Sequence, residues 1–171
     1  MIVPVLETAR LRLRAHDVDD FPDLMAMWTE RAVTHYIGGK TMRPDECWTR
    51  LLRYRGLWPL LGFGYWAVEE KSTGRFVGDI GFADFHRMIE PSIRGVPEIG
   101  WVLAPHVHGK GYASEAVAAA IQWFDAQGKR RCVCIIDPAN EPSLRLAAKN
   151  GFREYCRTTF MGDEVILFER K

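Results

Sequence analysis

Apolar and polar positions alternate over Leu11-Arg12-Leu13-Arg14, the two-residue period of a half-buried strand. The period then lengthens. Asp17 to Asp20 offers caps and early acids for a helix carrying Phe21, Leu24, Met25 and Trp28 on one stripe. Gly38-Gly39 interrupts it, and Pro44-Asp45-Glu46 restarts a helix with Trp48, Leu51, Leu52 and Leu57 on its apolar side, leaving at Gly56, Pro59, Gly62 and Gly64. Strand spacing returns in Tyr65–Val68 and Phe76–Phe82, joined by a turn at 71–75, and again in Glu98–Leu103 after a loop with Pro91, Gly95 and Pro97. Ala113, Val117, Ala120, Ile121 and Phe124 then mark the longest helical stripe, stopped by Gly128. A strand over 132–136, a helix over 141–149 ended by Gly151, and two closing strands turning at Met161–Glu164 complete the pattern. With no repeat, linker or low-complexity tract, residues 1–171 read as a single α+β domain.

Composition narrows the classes of function. A net charge of +1 gives no reason to expect nucleic acid or an anionic membrane as partner, and Lys129-Arg130-Arg131 is too short to change that. No run approaches the roughly 20 apolar residues of a membrane span, and the start lacks the pattern of a secretory signal, so a cytoplasmic protein is expected. Cys132 and Cys134 sit in an apolar strand and would share one face as small core residues. The repeated Cys or Cys/His spacing of a zinc site is missing, and no metal is expected.

The segment Trp101–Ser114 carries the chemistry, running strand, short loop, helix. Its helix has no Asp, Asn, Ser or Thr cap before Tyr112, so the first N–H groups need another acceptor. Gly109 and Gly111 let the backbone turn and approach a ligand, and a diphosphate would meet both the free donors and the positive end of the helix dipole. A plain glycine-capped helix start is the alternative. Walker and dinucleotide fingerprints fail, because Gly111 follows Lys110 and Ser114 stands where a third glycine belongs.

This loop resembles the pyrophosphate loop of the GNAT N-acetyltransferases, and the likeness runs along nearly the whole chain. Glu7–Arg14 resembles the opening strand of the Rim-type subfamily, which includes enzymes acetylating ribosomal-protein N-termini. Gly78-Asp79-Ile80-Gly81 resembles its third strand and Glu98-Ile99-Gly100-Trp101 its fourth. Asn140–Ser143 with Lys149-Asn150-Gly151-Phe152 resembles its second cofactor motif.

The resemblance implies a mixed, mostly antiparallel sheet with helices on both faces. Strands four and five, here 98–103 and 131–136, would splay to admit acetyl-CoA. It implies that backbone groups of Val102 and Leu103 pair with the pantetheine arm. The N–H groups of His108, Gly109, Lys110, Gly111, Tyr112, Ala113 and Ser114 would hold the diphosphate. Asn140 would approach the pantetheine, and Ser143 the sulfur. The family's frequent tyrosine acid is absent, its place being Ala147, and His106 replaces a frequent Gln or Arg before the loop.

Acetyl transfer to an amine needs a base, an oxyanion donor and a proton for the thiolate. Glu98 is the first candidate base, Asp84 and His86 the next, and an N–H near Leu103 the oxyanion donor. Ser143 either contacts the cofactor, with or without giving a proton, or caps its helix. His106 and His108 shape the loop, while Trp28, Tyr36, Trp48, Trp58 and Phe85 are acceptor-pocket candidates that helical spacing equally assigns to the core. The activity implied is transfer from acetyl-CoA to a primary amine, on a small molecule or a protein N-terminus, in a ternary complex. A non-catalytic acyl-CoA-binding module is the alternative, and a homodimer is the assembly expected by resemblance.

Overall fold

The computed structural model describes residues 2–171. In chain order these form β1 (Leu6–Glu7), β2 (Leu11–Arg14), α1 (Phe21–Thr29), α2 (Arg31–Thr34), α3 (Pro44–Leu61), β3 (Tyr65–Glu70), β4 (Arg75–Ala83) and β5 (Glu98–Leu103). Then follow α4 (Tyr112–Ala126), β6 (Cys132–Ile136), α5 (Glu141–Lys149), β7 (Arg153–Phe160) and β8 (Asp163–Arg170). All strands join one sheet in the order β1-β2-β3-β4-β5-β6-β8-β7. Every neighbouring pair is antiparallel except β5 with β6. The mixed, mostly antiparallel α+β sheet expected from the sequence is therefore present, with a two-residue opening strand added in front.

Strand periodicity explains the two covered faces. Leu11, Leu13, Trp66, Val68, Ile80, Phe82, Ile99 and Leu103 form one core with Ala116, Val117, Ala120, Ile121 and Phe124 of α4. On the other side α1 and α3 pack through Leu24, Met27, Trp28, Cys47 and Leu51 over Ala67, Phe76 and Ala104. Cys132 and Cys134 are buried core thiols, as their strand pattern indicates.

Two helical details depart from the sequence pattern. Asp17 to Asp20 build a single 3-10 turn ahead of α1, closed by a reciprocal Asp17–Asp20 box, and do not cap α1 itself. Asp20 turns its carboxylate to Arg14, with two contacts of 2.8 Å. Helix α3 runs straight through Gly56 and Pro59 to Leu61 and stops at Gly62, which is left-handed with φ 73°. Burial of Leu57 and Trp58 outweighs those weak helix formers, and the buried stripe is Cys47, Leu51, Tyr54 and Trp58, at i, i+4, i+7 and i+11. Trp48 and Leu52, expected on the core side, are 40% and 51% exposed. Among the described residues no helix is long and apolar enough to cross a membrane.

A buried polar tie pins the corner after β2 to the middle of the sheet. Asp79 on β4 lies 2.6 Å from His16 Nε2 and accepts a 3.1 Å hydrogen bond from Trp28 Nε1. His16 and Asp79 side chains are both fully buried. Replacing Asp79→Ala leaves both neighbours without an acceptor in a dry site, so the unfolding free energy should fall by about 2–4 kcal/mol, read as a lower urea midpoint.

The thiols supply a second expectation. Burial pushes Cys132 up to about 12 and Cys134 well above the ordinary thiol value. At pH 8 both stay protonated as well as enclosed. Iodoacetamide on the native protein should label Cys156, the one thiol that is only part-buried, and spare Cys47, Cys132 and Cys134 until denaturant is added.

Candidate functional site

Strands β5 and β6 touch at one registered pair, Glu98 opposite Val133, where Val133 N donates to Pro97 O at 3.0 Å. Beyond it they part, each held by its other neighbour. β5 pairs with β4 over its whole length, and β6 likewise with β8. The gap therefore lies between two complete ladders.

The direction of the β5 amides follows from its ladder. Ala104 N donates to Val77 O at 2.9 Å, and bonded pairs recur at every second residue of an antiparallel ladder. Val102 is thus bonded to Asp79, and the N–H groups that face the gap are those of Trp101 and Leu103. The sequence reading had given Val102 a backbone role toward the ligand; its polar groups are spent on β4. The Leu103 carbonyl lies 2.8 Å from His108 Nε2, so His108 shapes the loop through its side chain.

The loop itself rises from a 3-10 turn at Pro105–Val107 and enters α4 through two left-handed glycines, Gly109 with φ 75° and Gly111 with φ 78°. His108 N and Lys110 N donate within the turn, to Pro105 O and Val107 O, at 3.1 and 3.4 Å. They drop out of the expected donor set. The N–H groups of Gly109, Gly111, Tyr112, Ala113 and Ser114 have no protein acceptor among the described residues. They are clustered at the positive end of a 15-residue helix.

Arg10 braces this turn from β2's side. It donates to Lys110 O at 2.8 Å, pairs with Glu115 Oε2 at 2.7 Å, and stacks 4.6 Å from the Tyr112 ring centroid. Burial works against the charge of Glu115, yet hydrogen bonds from Thr8 and from the Arg10 backbone and side chain hold its carboxyl below the ordinary value. Lys149 Nζ donates to Ser114 Oγ at 2.8 Å and adds a second cation beside the loop. Arg10 is a functional neighbour the sequence pattern did not mark, because its partners lie about a hundred residues away.

Across the gap, Asn140 Oδ1 accepts from Ser143 N at 3.3 Å and is the N-cap of α5. The capping role weighed for Ser143 belongs to Asn140. Ser143 Oγ instead accepts a 3.2 Å hydrogen bond from Trp101 Nε1 of β5, which leaves the hydroxyl proton free to be donated.

The base candidates fare differently. Glu98 is buried, and both its oxygens are taken by Arg87, at 2.6 and 2.8 Å. That two-pronged contact makes Glu98 half of an ion pair at the point where β5 and β6 meet, with both oxygens already hydrogen-bonded. Asp84 spends its oxygens on the backbone N–H groups of His86 and Gly95, at 3.0 and 2.8 Å. The His86 side chain is 74% exposed. Neither is placed on the gap.

The side of β5 away from α4 carries a group that sequence reasoning missed. The space a Cβ at Gly100 would need is filled by the Tyr65 hydroxyl. Tyr65 stacks on Tyr54 at 4.2 Å, and burial, then Tyr54 and Glu98, raise its pKa well above the ordinary phenol value. It stays a protonated donor at neutral pH. Of the aromatic candidates, Trp28 serves Asp79, Trp48 packs edge-on to Phe21, Trp58 is core and Tyr36 leans on His35. Trp58 also donates to the Tyr65 carbonyl at 3.0 Å, and the Phe85 ring lies 6.2 Å from the Tyr65 ring between centroids. Among the described residues no group of three or more His, Cys, Asp or Glu could hold a metal ion.

Comparison with known proteins bears on this geometry. Residues 10–153 match the family described as acetyltransferase (GNAT) domain. The uncharacterized protein YkkB of Bacillus subtilis (strain 168) is 31% identical over 172 residues, covering 97% of this chain and 95% of its own length. An acetyltransferase structure from Agrobacterium tumefaciens str. C58 superposes with a TM-score of 0.82 at 25% identity, over 99% of this chain and 95% of that one. RimL, a ribosomal alpha-N-protein acetyltransferase solved with coenzyme A, shares the fold with a TM-score of 0.78 at 20% identity, covering 98% of this chain and 97% of its own.

Proposed function

This chain belongs to the GNAT acetyltransferase family, and from that premise we propose that it passes the acetyl group of acetyl-CoA directly to a primary amine in a ternary complex. The observation that carries the reading is the set of unpaired N–H groups at Gly109 and from Gly111 to Ser114, beside the gap between β5 and β6. A diphosphate supplies the acceptors that these donors lack, and its charge suits the helix end and the nearby Arg10 and Lys149. The gap-facing amides of Trp101 and Leu103 then meet the pantetheine arm as a strand partner would.

The chain's residues divide the chemistry. The amine nitrogen attacks the thioester carbonyl carbon, the carbon–sulfur bond breaks, and the oxyanion formed on the way draws on the Leu103 N–H. One such donor is worth roughly 2.7–4 kcal/mol of barrier. Ser143, its oxygen occupied by Trp101, turns its proton toward the departing sulfur. With Glu98 tied to Arg87, the proton of the attacking ammonium leaves through water in the cleft. The acceptor is a primary amine, on a small molecule or on a protein N-terminus of the kind named for RimL, whose fold this chain shares.

Incubation with acetyl-CoA and a panel of peptides and small amines should release free thiol; silence across both groups overturns the reading. Gly111→Ala forces a side chain into φ 78° at the helix start. The free loop sheds that strain by leaving this geometry. Recovering it on binding costs about 1–2 kcal/mol, which should weaken coenzyme A binding by about five- to thirtyfold in calorimetry. Ser143→Ala should lower kcat by up to about a hundredfold and change the coenzyme A Kd far less.

A further inference from the structure

On the face of β5 turned away from the phosphate loop, α3 borders a groove of unusual charge. Met42, Asp45, Glu46, Thr49, Arg50 and Arg53 line a cavity of about 250 Å³. At its outer end the two acids are answered by Arg43, which lies 2.8 Å from Asp45 and 3.5 Å from Glu46. Further in, Arg50 lies 3.8 Å over Trp28 and donates to the Tyr54 hydroxyl at 2.9 Å, one stacked ring from the Tyr65 hydroxyl beside Gly100.

Arg53 sits where this groove meets the loop after β4. Its guanidinium is 4.9 Å from the Phe85 centroid, and Arg87 is at the same distance from that ring. Arg87 is neutralised by Glu98. Arg53 has no carboxylate partner and makes no hydrogen bond among the described residues. Crowding by neighbouring atoms, then the like charges of Arg50 and Arg87, push its pKa down while part of the side chain stays exposed to solvent.

We propose that this groove receives the acceptor, and that Arg53, backed by Arg50, selects primary amines bearing a carboxylate several bonds from the reacting nitrogen. The inference rests on the acetyl-transfer reading and names the substrate class of that site. Distance sets the spacing. Arg53 lies over the Phe85 ring, and the Phe85 and Tyr65 ring centres are a further 6.2 Å apart. Only the far end of Tyr65, its hydroxyl, reaches Gly100 of β5, so the guanidinium stands more than one aromatic ring away from the strand. An α-carboxylate is too near its own amine to span this. An acidic side chain one residue after a peptide N-terminus reaches, as does the terminal carboxylate of a small ω-amino acid. A guanidinium with its fork unoccupied binds such a group through paired N–H donors.

The test uses matched acceptors on the full chain with acetyl-CoA: Ala-Asp-Ala amide against Ala-Asn-Ala amide, and 4-aminobutyrate against butylamine. The first pair reads a peptide source, the second a small molecule. Wild type should favour the anionic member of at least one pair by about tenfold or more in kcat/KM, mostly through KM. Arg53→Ala should bring that ratio near unity, Arg53→Lys should keep part of it, and Arg55→Ala, on the opposite side of α3, should keep it whole. Equal use of both members by wild type, or an unchanged ratio in Arg53→Ala, overturns the inference. Calorimetry of the same acceptors with the coenzyme A complex separates the two readings. Carboxylate-dependent binding without thiol release sinks the catalytic reading and upholds the anion site; thiol release without carboxylate preference does the reverse.

Discussion

Everything functional here follows from hydrogen bonds that β5 and β6 do not make with each other. Each strand is fully paired on its outer side, β5 with β4 and β6 with β8, and the two half-sheets meet only at Glu98 and Val133. A parallel pair that begins and then stops leaves backbone donors on β5 pointing into a wedge, and a buried amide without a partner is costly. The wedge is tolerable because it opens to ligand and solvent, and because Trp101 and Ser143 bridge it with a single side-chain bond. The loop above follows the same pattern, with the N–H groups of Gly109, Gly111, Tyr112, Ala113 and Ser114 left without protein acceptors among the described residues at the start of α4.

Polar burial elsewhere keeps that wedge in shape. Asp79 sits on the strand that backs Val102, and its links to His16 and Trp28 tie β4 to α1 and to the corner after β2. Glu98 and Arg87 lock the point at which the half-sheets meet. Such pairs do little for net stability but are expensive to break, which makes them suited to fixing geometry. Glu98 at this meeting point thus serves the geometry through Arg87. The face of β5 opposite α4 carries Tyr65, with Arg50 and Arg53 of α3 nearby.

Much of this was legible from residue order alone. Periods of two and 3.6, with Gly and Pro as punctuation, located β5, β6, α4 and α5 closely, since those elements have one apolar face and clear ends. The helix start after Gly109 and Gly111 reads as uncapped from residue order, and its first N–H groups do lack protein acceptors among the described residues. The ends of α3 were harder. Gly56 and Pro59 are local signals, and the burial of Leu57 and Trp58 that overrides them is a tertiary term.

The sequence by itself determined which stretches bend, pair and coil, and it held the loop motif and the Asn140–Ser143 pattern, because each depends on residues close along the chain. Tertiary structure alone decided which atoms are free. Only strand register turns Leu103 N–H to the gap and Val102 away from it, puts Tyr65 where Gly100 has no side chain, and brings Arg87 eleven residues back onto Glu98. Availability of a donor, a base or a cation is set by what else lies within hydrogen-bonding distance, and that distance is a property of the folded sheet.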